Sequence, residues 1–522
     1  MKFGKKGLAA LAAALCVAFF APAAMAVEVD SFDSLQSALN GTEGITVTGD
    51  FQITSQLIVS TNATLDLNGH TVSATLEGAD IFVVTDGATF TINDTAGGGK
   101  ISSNGWAAIQ ILGETSPDEN ASAINSKLIL NGGTIEAQWY PITVMGKGAQ
   151  FDINDGIVQV TAVDGYAVSG SSATTDSNKN PVSYHGTIIN VNGGQLIGGT
   201  GLESDSNPSS GRDYIAGAGI FHSQEGVLNI TGGTVSGYVG IQFRSGTLNM
   251  TGGTVISNGN MPTAVTPSSN GVVAIGAGIA FITNGDPEKV GYRGNMSATI
   301  SGDAEVIATG EGSYAIYEAN HETAGNESDT QLVALTITSG TFEGKVGALS
   351  IQNKGDEDNT NGNVSISGGA FSSQPEEKYL AENVTFVDDG EGHFVVPSLT
   401  FATNVITLAM NETITLDYTV VPANAMINWT SSNPEIATVD ANGEITPAAA
   451  GETTITATLA DYDTISASCT VTVTEDDTPI TPPVTSDDVT PPHTGGSGGG
   501  CSAGFGALAL LAAVPLFRMR KR

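Results

Sequence analysis

The chain has little of what usually holds an exported or catalytic protein together. There are three cysteines in 522 residues, six histidines, and 18 Lys and Arg against 54 Asp and Glu. Cys16 falls inside an apolar N-terminal run, so only Cys469 and Cys501 are left, far apart, and no disulfide framework is legible. Stability must come from packing. Cys469 sits in an alternating strand (SCTVT, 468–472) and reads as a small buried hydrophobe. Seven of the basic residues lie at the two ends, leaving 11 against 54, a net of −43, between them. Such a surface excludes nucleic acid as a partner and fits solubility, cation binding and an external location. The apolar run near the C-terminus has about 14 residues where a spanning helix needs roughly 20.

What is abundant is glycine, 66 residues, much of it in one recurring phrase. Residues 128–135 (LILNGGTI), 189–196 (INVNGGQL), 228–235 (LNITGGTV), 248–255 (LNMTGGTV) and 364–371 (VSISGGAF) repeat it, with looser copies at Leu65, Phe90, Phe151, Ala298 and Leu335. Period-two alternation puts Leu228 and Ile230 on one side of a strand and Asn229 on the other. Gly232 and Gly233 then turn the chain into a second short strand, and residues 238–243 supply a third. That coil closes in about 20 residues, the length of a solenoid repeat, and coils that cannot bury their apolar rows alone do so by stacking. The pattern predicts an all-β chain: a right-handed parallel β-helix over 27–396, followed by an immunoglobulin-like β-sandwich.

Spacing between phrases varies, and the surplus is polar: 113–125, 170–186, 200–212, 284–295, 320–330 and 353–363. Most of these insertions fall between the third strand of one coil and the next phrase, so they are expected along one edge, where variable function would sit. At the start, Phe32, Leu35 and Leu39 recur at helical spacing after Ser31, a candidate N-cap, and before Gly41; the expected helix would cap the open end of the stack. Residues 379–382 and 392–395 read as a hairpin closing the other end.

Residues 43–72 with the later Gly-Gly phrases resemble the pectin-lyase-like β-helix domains of bacterial surface proteins, over roughly 30–395. The resemblance is architectural and implies no activity. From Pro397 the pattern changes to short strands at sandwich spacing, among them 413–420 (TITLDYTV), 427–434 (INWTSSNP) and 451–458 (GETTITAT). Residues 397–475 resemble a bacterial immunoglobulin-like domain of group 2, which implies a stalk or adhesive module with Trp429 in its core; Asn442-Gly443 reads as a tight hairpin turn.

Residues 1–26 have a basic start, an apolar stretch and a small-residue site ending at Ala26, the pattern of a secretory signal peptide. Residues 476–500 form a Pro/Thr/Gly-rich spacer, and 501–522 an apolar run with a basic end. The stretch GGGCSAGFGA (498–507) resembles the Gly-Gly-Cys C-terminal sorting tail of Synergistetes surface proteins, which implies cleavage or lipid attachment near Cys501 by a processing peptidase. Residues 491–495 (PPHTG) also approximate a sortase signal, and an unprocessed membrane anchor is the third reading. All three place the protein outside the cell, tethered at its C-terminus.

Catalysis on a β-helix needs clustered carboxylates with a base, or paired acids. Asn-Thr-Asp, paired Asp beside Gly-His-Gly, and Arg-X-Lys on strands do not occur, so no catalytic residue is assigned. The scarce candidates are Arg212, Asp213, His222 and Arg244: Arg244 reads as a solvated strand end, His222 as an outward polar residue or stack member. No cofactor is called for. Asp356, Asp358 and Asn361 are calcium-type ligands whose spacing departs by one residue from a calcium loop. Tyr140, Tyr166, Tyr238 and Tyr314 each open a third strand and would align into an edge column, structural or able to contact sugar rings. The expected function is a non-catalytic, adhesin-like or glycan-contacting surface protein, with an extracellular glycan or protein surface as partner. A polysaccharide lyase or glycoside hydrolase and a structural envelope-layer protein are the alternatives.

Overall fold

The computed structural model describes residues 26–475 except 42–43, 77, 106, 117, 119, 171–173, 176–180, 183–184, 205–213, 264–271, 283–294, 320–331 and 354–355. From Gly44 to Phe371 the coil strands visit three long sheets in rotation. The first face has twelve strands and receives the opening strand of each phrase; the second has thirteen and receives the strand after the Gly-Gly turn; the third has ten. Successive coils pair in parallel on every face, as in Leu228↔Leu248 on the first, Val235↔Val255 on the second and Ile241↔Ile279 on the third. This is a parallel β-helix, with the apolar parity of all three faces in one continuous core.

The Gly-Gly turn is glycine for two different reasons. A Cβ on Gly232 would lie 2.5 Å from the Asn192 carbonyl oxygen of the previous coil. Gly233 has a φ of +74° and a Cβ there would lie 2.6 Å from the Gly193 oxygen. Stacked coils thus leave no room at the first position and impose a left-handed backbone at the second. On the solvent side of the first face, the strands leading into these turns carry an amide ladder: the side-chain amide of Asn249 donates to Asn229, Asn229 to Asn190 and Asn190 to Asp152, at 2.9, 2.8 and 2.6 Å.

At the N-terminal end the helix Phe32–Ala38 lies over the stack, with Leu35 buried and Ser31 as N-cap in a reciprocal capping box with Ser34. At the other end, the hairpin Val387–Asp388 and Phe394–Val395 pairs antiparallel with Ala370–Phe371, while residues 377–379 form a 3₁₀ turn rather than a strand. The Tyr379 hydroxyl donates to the Ile351 carbonyl and the Ser373 hydroxyl accepts from the Ala348 N–H, so side chains occupy the edge of the last third-face strand.

Residues 398–474 form sheets of two, four and three strands. Leu408, Leu416, Ile445, Ile455, Cys469 and Val471 are buried between them, so Cys469 packs as the alternation predicts. Trp429 is half-buried and stacks on Phe401 at 5.7 Å. Gly443, at φ +78°, sits so close to the Trp429 ring that a Cβ would approach it to 2.7 Å. The Asn442-Gly443 turn and the core tryptophan are therefore one packing unit.

Candidate functional site

Two corners of the coil carry the irregular chain. Insertions 113–125, 170–186, 284–295, 320–330 and 353–363 all lie between a third-face strand and the next first-face strand, the edge the spacing predicts. Residues 200–212 differ: they lie between the second and third faces, together with 258–276. The two sets flank the third face.

That face is buried on both sides in its middle strands. Tyr166–Ser169, Ala218–His222, Val239–Phe243 and Ala277–Ile282 show no exposed position. Their inward parity joins the main core; their outward parity forms a second core with Val272, Val273 and Ile275. The strap carrying these residues is pinned by polar side chains of the floor. The Val272 N–H donates to the Tyr166 hydroxyl at 3.0 Å and the Val273 N–H to Gln242 Oε1 at 2.8 Å.

Arg244 is therefore not a solvated strand end. It is fully buried, with its guanidinium carbon 5.0 Å from the centre of the Phe221 ring. Phe221 touches Tyr166 at 5.2 Å and Tyr166 touches Tyr140 at 5.3 Å, so an arc of three rings ends on a cation. His222 has the opposite parity and points inward rather than to solvent. It stacks on Phe243 at 4.6 Å, its Nδ1 lies 3.0 Å from the Ser245 carbonyl oxygen, and burial pulls its pKa down to about 4. Arg212 and Asp213 lie outside the described residues.

The four tyrosines do not form one column. Register aligns Ala107, Tyr140, Tyr166, Ala218, Val239, Ala277, Tyr314 and Gly347, which leaves Tyr238 one residue out of step. Tyr166 and Tyr238 are buried, Tyr238 donating to the Asn260 carbonyl at 3.1 Å; Tyr140 and Tyr314 are half-buried. Of the four, these last two retain surface for a ligand.

Asp356 is buried and its carboxylate is engaged by its own loop: it accepts from the Thr360 hydroxyl and N–H at 2.6 and 2.7 Å and from the Asn361 N–H at 2.9 Å. The Thr360 hydroxyl bond leads in holding its pKa below the ordinary value. Asp358 and Asn361 are exposed. Among the described residues, no group of three or more His, Cys, Asp or Glu is placed to hold a metal ion. Ala26 is exposed, whereas Cys501 lies outside the described residues; no helix among those described is long and apolar enough to cross a membrane.

Carboxylates on the helix surface serve the stack. Burial pushes the Glu136 pKa up, but hydrogen bonds from Gln159, Ser102 and Lys100 outweigh it and leave it lowered. Glu318, at the inward end of a third-face strand, is buried and accepts from the Asn353 and Gln352 N–H groups at 2.7 and 2.9 Å. Burial leads and raises its pKa, so its contribution is present below the unfolded value and is lost as pH rises through the raised folded value. Both N–H groups reach one oxygen, Oε2, which a glutamine can replace. Glu318→Gln is expected to hold or raise stability at pH 7–8 and to reduce its fall on leaving acid, read by urea unfolding across pH.

Fold and site together define a β-helix whose loop-bearing corners flank a doubly packed face, with an immunoglobulin-like module behind it. Residues 395–476 match the family of bacterial Ig-like domains, group 2. The chain is 38% identical over 92 residues, 17% of its length and 9% of the relative's, to an uncharacterized protein of Clostridium acetobutylicum. It is 26% identical over 352 residues, 64% of its length, to a protein of Bifidobacterium longum subsp. longum named as a 3-O-alpha-D-galactosyl-alpha-L-arabinofuranosidase, of which it spans 28%. The chain covers less than a third of either relative.

Proposed function

We propose that this chain is a non-catalytic cell-surface protein that displays a pectin-lyase-like β-helix on an immunoglobulin-like stalk, exported by its N-terminal segment and anchored through its C-terminal one. The observation carrying this reading is the division of labour in the coil. The three faces are consumed by stacking, ladders and the second core, while five of the six polar insertions open onto one edge. A group 2 Ig-like domain beside a Pro/Thr/Gly spacer supports the stalk role. The expected partner is an extracellular glycan or a protein surface.

The similarity to a protein named as an arabinofuranosidase favours a second reading, a glycan-degrading enzyme built from insertion residues. Incubating residues 27–475 with a glycan array and assaying released sugars separates them. Display predicts retention without cleavage; turnover of any arrayed glycan, lost on replacing insertion carboxylates, overturns it. Cleavage at Cys501 in the producing cell, read by mass spectrometry of the surface-released protein, tests the anchor.

A further inference from the structure

We infer that the immunoglobulin-like domain is a tension clamp, in which force between the β-helix and the C-terminal anchor pulls strands Val405–Ala409 and Tyr462–Thr474 past each other in shear; this rests on the stalk function and supplies what a stalk needs, resistance to pulling. Among the described residues of the domain, five strand pairs are antiparallel and one is parallel. The parallel pair joins Val405–Ala409 to the last five residues of Tyr462–Thr474, in register from Val405↔Thr470 to Ala409↔Thr474.

Direction governs how such a pair breaks. The chain coming from the β-helix enters the first of these strands at Val405 and leaves the second at Thr474, at the opposite end of the paired segment. Tension on the two ends therefore slides one strand along the other, and every rung of the ladder is strained together. Were the first and last strands antiparallel, their outer ends would lie side by side and the rungs would open one at a time. Hydrogen bonds reach both ends of the pair: the Thr470 N–H donates to the Asn404 carbonyl at 2.9 Å, and the Met410 N–H to the Thr474 carbonyl at 3.2 Å.

The last strand is also held on its other edge. It pairs antiparallel with Gly451–Leu459 from Tyr462 to Val473, which makes it an interior strand of the four-stranded sheet, so it cannot peel away as an edge strand would. Leu408, Val471 and Val473 are buried in the domain core with Ile406 packed against it. Sliding would have to drag these interlocked side chains past their neighbours as well as break the backbone bonds.

Single-molecule pulling of the full chain along two axes tests the clamp. With Cys16→Ser and Cys501→Ser, Cys469 is the one native thiol left; it is buried, and burial pushes its pKa up, so handles attach at introduced cysteines. Thr403→Cys with Glu475→Cys pulls from opposite ends of the parallel pair, and Glu412→Cys with Glu475→Cys pulls from the same end; all three positions are exposed and neither path runs through the β-helix. At one loading rate the first geometry is expected to unfold the domain at about twofold higher force or more, since five residue pairs must yield together rather than in turn. Urea unfolding checks that the two variants fold alike. Equal forces, or a lower force in the first geometry, overturn the clamp and leave the stalk standing where mass spectrometry finds the anchor. A chain that is not anchored overturns the clamp's role together with the stalk, whatever the two forces are.

Discussion

Gly233→Val should cost far more than its place in a polar surface turn suggests, and should deplete the folded protein rather than loosen a loop. A β-branched residue held at φ +74° pays roughly 1–2 kcal/mol for the left-handed backbone alone. Its Cβ would also stand 2.6 Å from the Gly193 carbonyl oxygen and 2.7 Å from the Gly193 carbonyl carbon, both rigid backbone of the neighbouring coil. Overpacking of that kind adds about 1–3 kcal/mol, for a total of about 2–5 kcal/mol. Gly87 separates the two contributions: it has φ +79° but nothing within 4 Å of its would-be Cβ. Gly87→Ala is therefore expected to lose only the conformational part, about 1 kcal/mol. Denaturant unfolding of the two variants beside the unaltered chain measures the difference. Equal losses would mean that the stack yields at the turn and that coil-to-coil contact does not set the glycine requirement.

The phrase around Gly233 also shows why the architecture was legible in the sequence. Alternation at Leu228 and Ile230 and the turn at Gly232-Gly233 are local, and each repeats in register on the coils above and below, so many copies report the same geometry. The edge that receives most insertions followed from the same count. Arg244 and Tyr166 lie deeper than the strand pattern suggests, for a non-local reason. Strand parity says which side a residue faces, but here the outward side of the face is covered by Val272, Val273 and Ile275, of which Val272 lies 106 residues beyond Tyr166. A signal was nonetheless present: AGIFH (218–222), VGIQF (239–243) and AGIAFI (277–282) are apolar at both parities, the mark of strands buried on both faces. Tyr238 fell out of the column because register is set by pairing between coils, and that pairing aligns Val239, not Tyr238, with Ala218. The hydrogen bond from the Trp139 indole N–H to Asp164 Oδ1, 3.0 Å long, left no local trace, since its partners are joined only by the stacking of one coil on the next.

His222 should make the protein lose stability as the pH falls from about 6.5 to about 4. Its Nδ1 carries the proton, since it faces the Ser245 carbonyl, and its Nε2 is a buried acceptor with no hydrogen-bond partner among the described residues. Protonation would place a charge among Phe243 and the inward core row, and burial accordingly holds the pKa near 4 against an ordinary 6.5. A depressed histidine means that the unfolded chain binds the proton first. Its stabilising contribution is complete above about pH 6.5, falls as the pH drops, and is gone by about pH 4, a change of about 3 kcal/mol. Asp50, Asp66, Asp356, Asp389 and Asp440 are all held below the ordinary carboxylate pKa, so their losses come mainly at lower pH, and the raised Asp80 and Glu318 act in the opposite direction, gaining stability as the pH falls. His222→Phe continues the Phe243 and Phe281 row, and is expected to change stability at pH 7.5 by only about 1 kcal/mol. Between pH 6.5 and 4 the variant should keep most of what the unaltered chain loses. Parallel pH profiles for the two proteins would show that the core does not exclude the charged imidazole, and that another group drives acid unfolding.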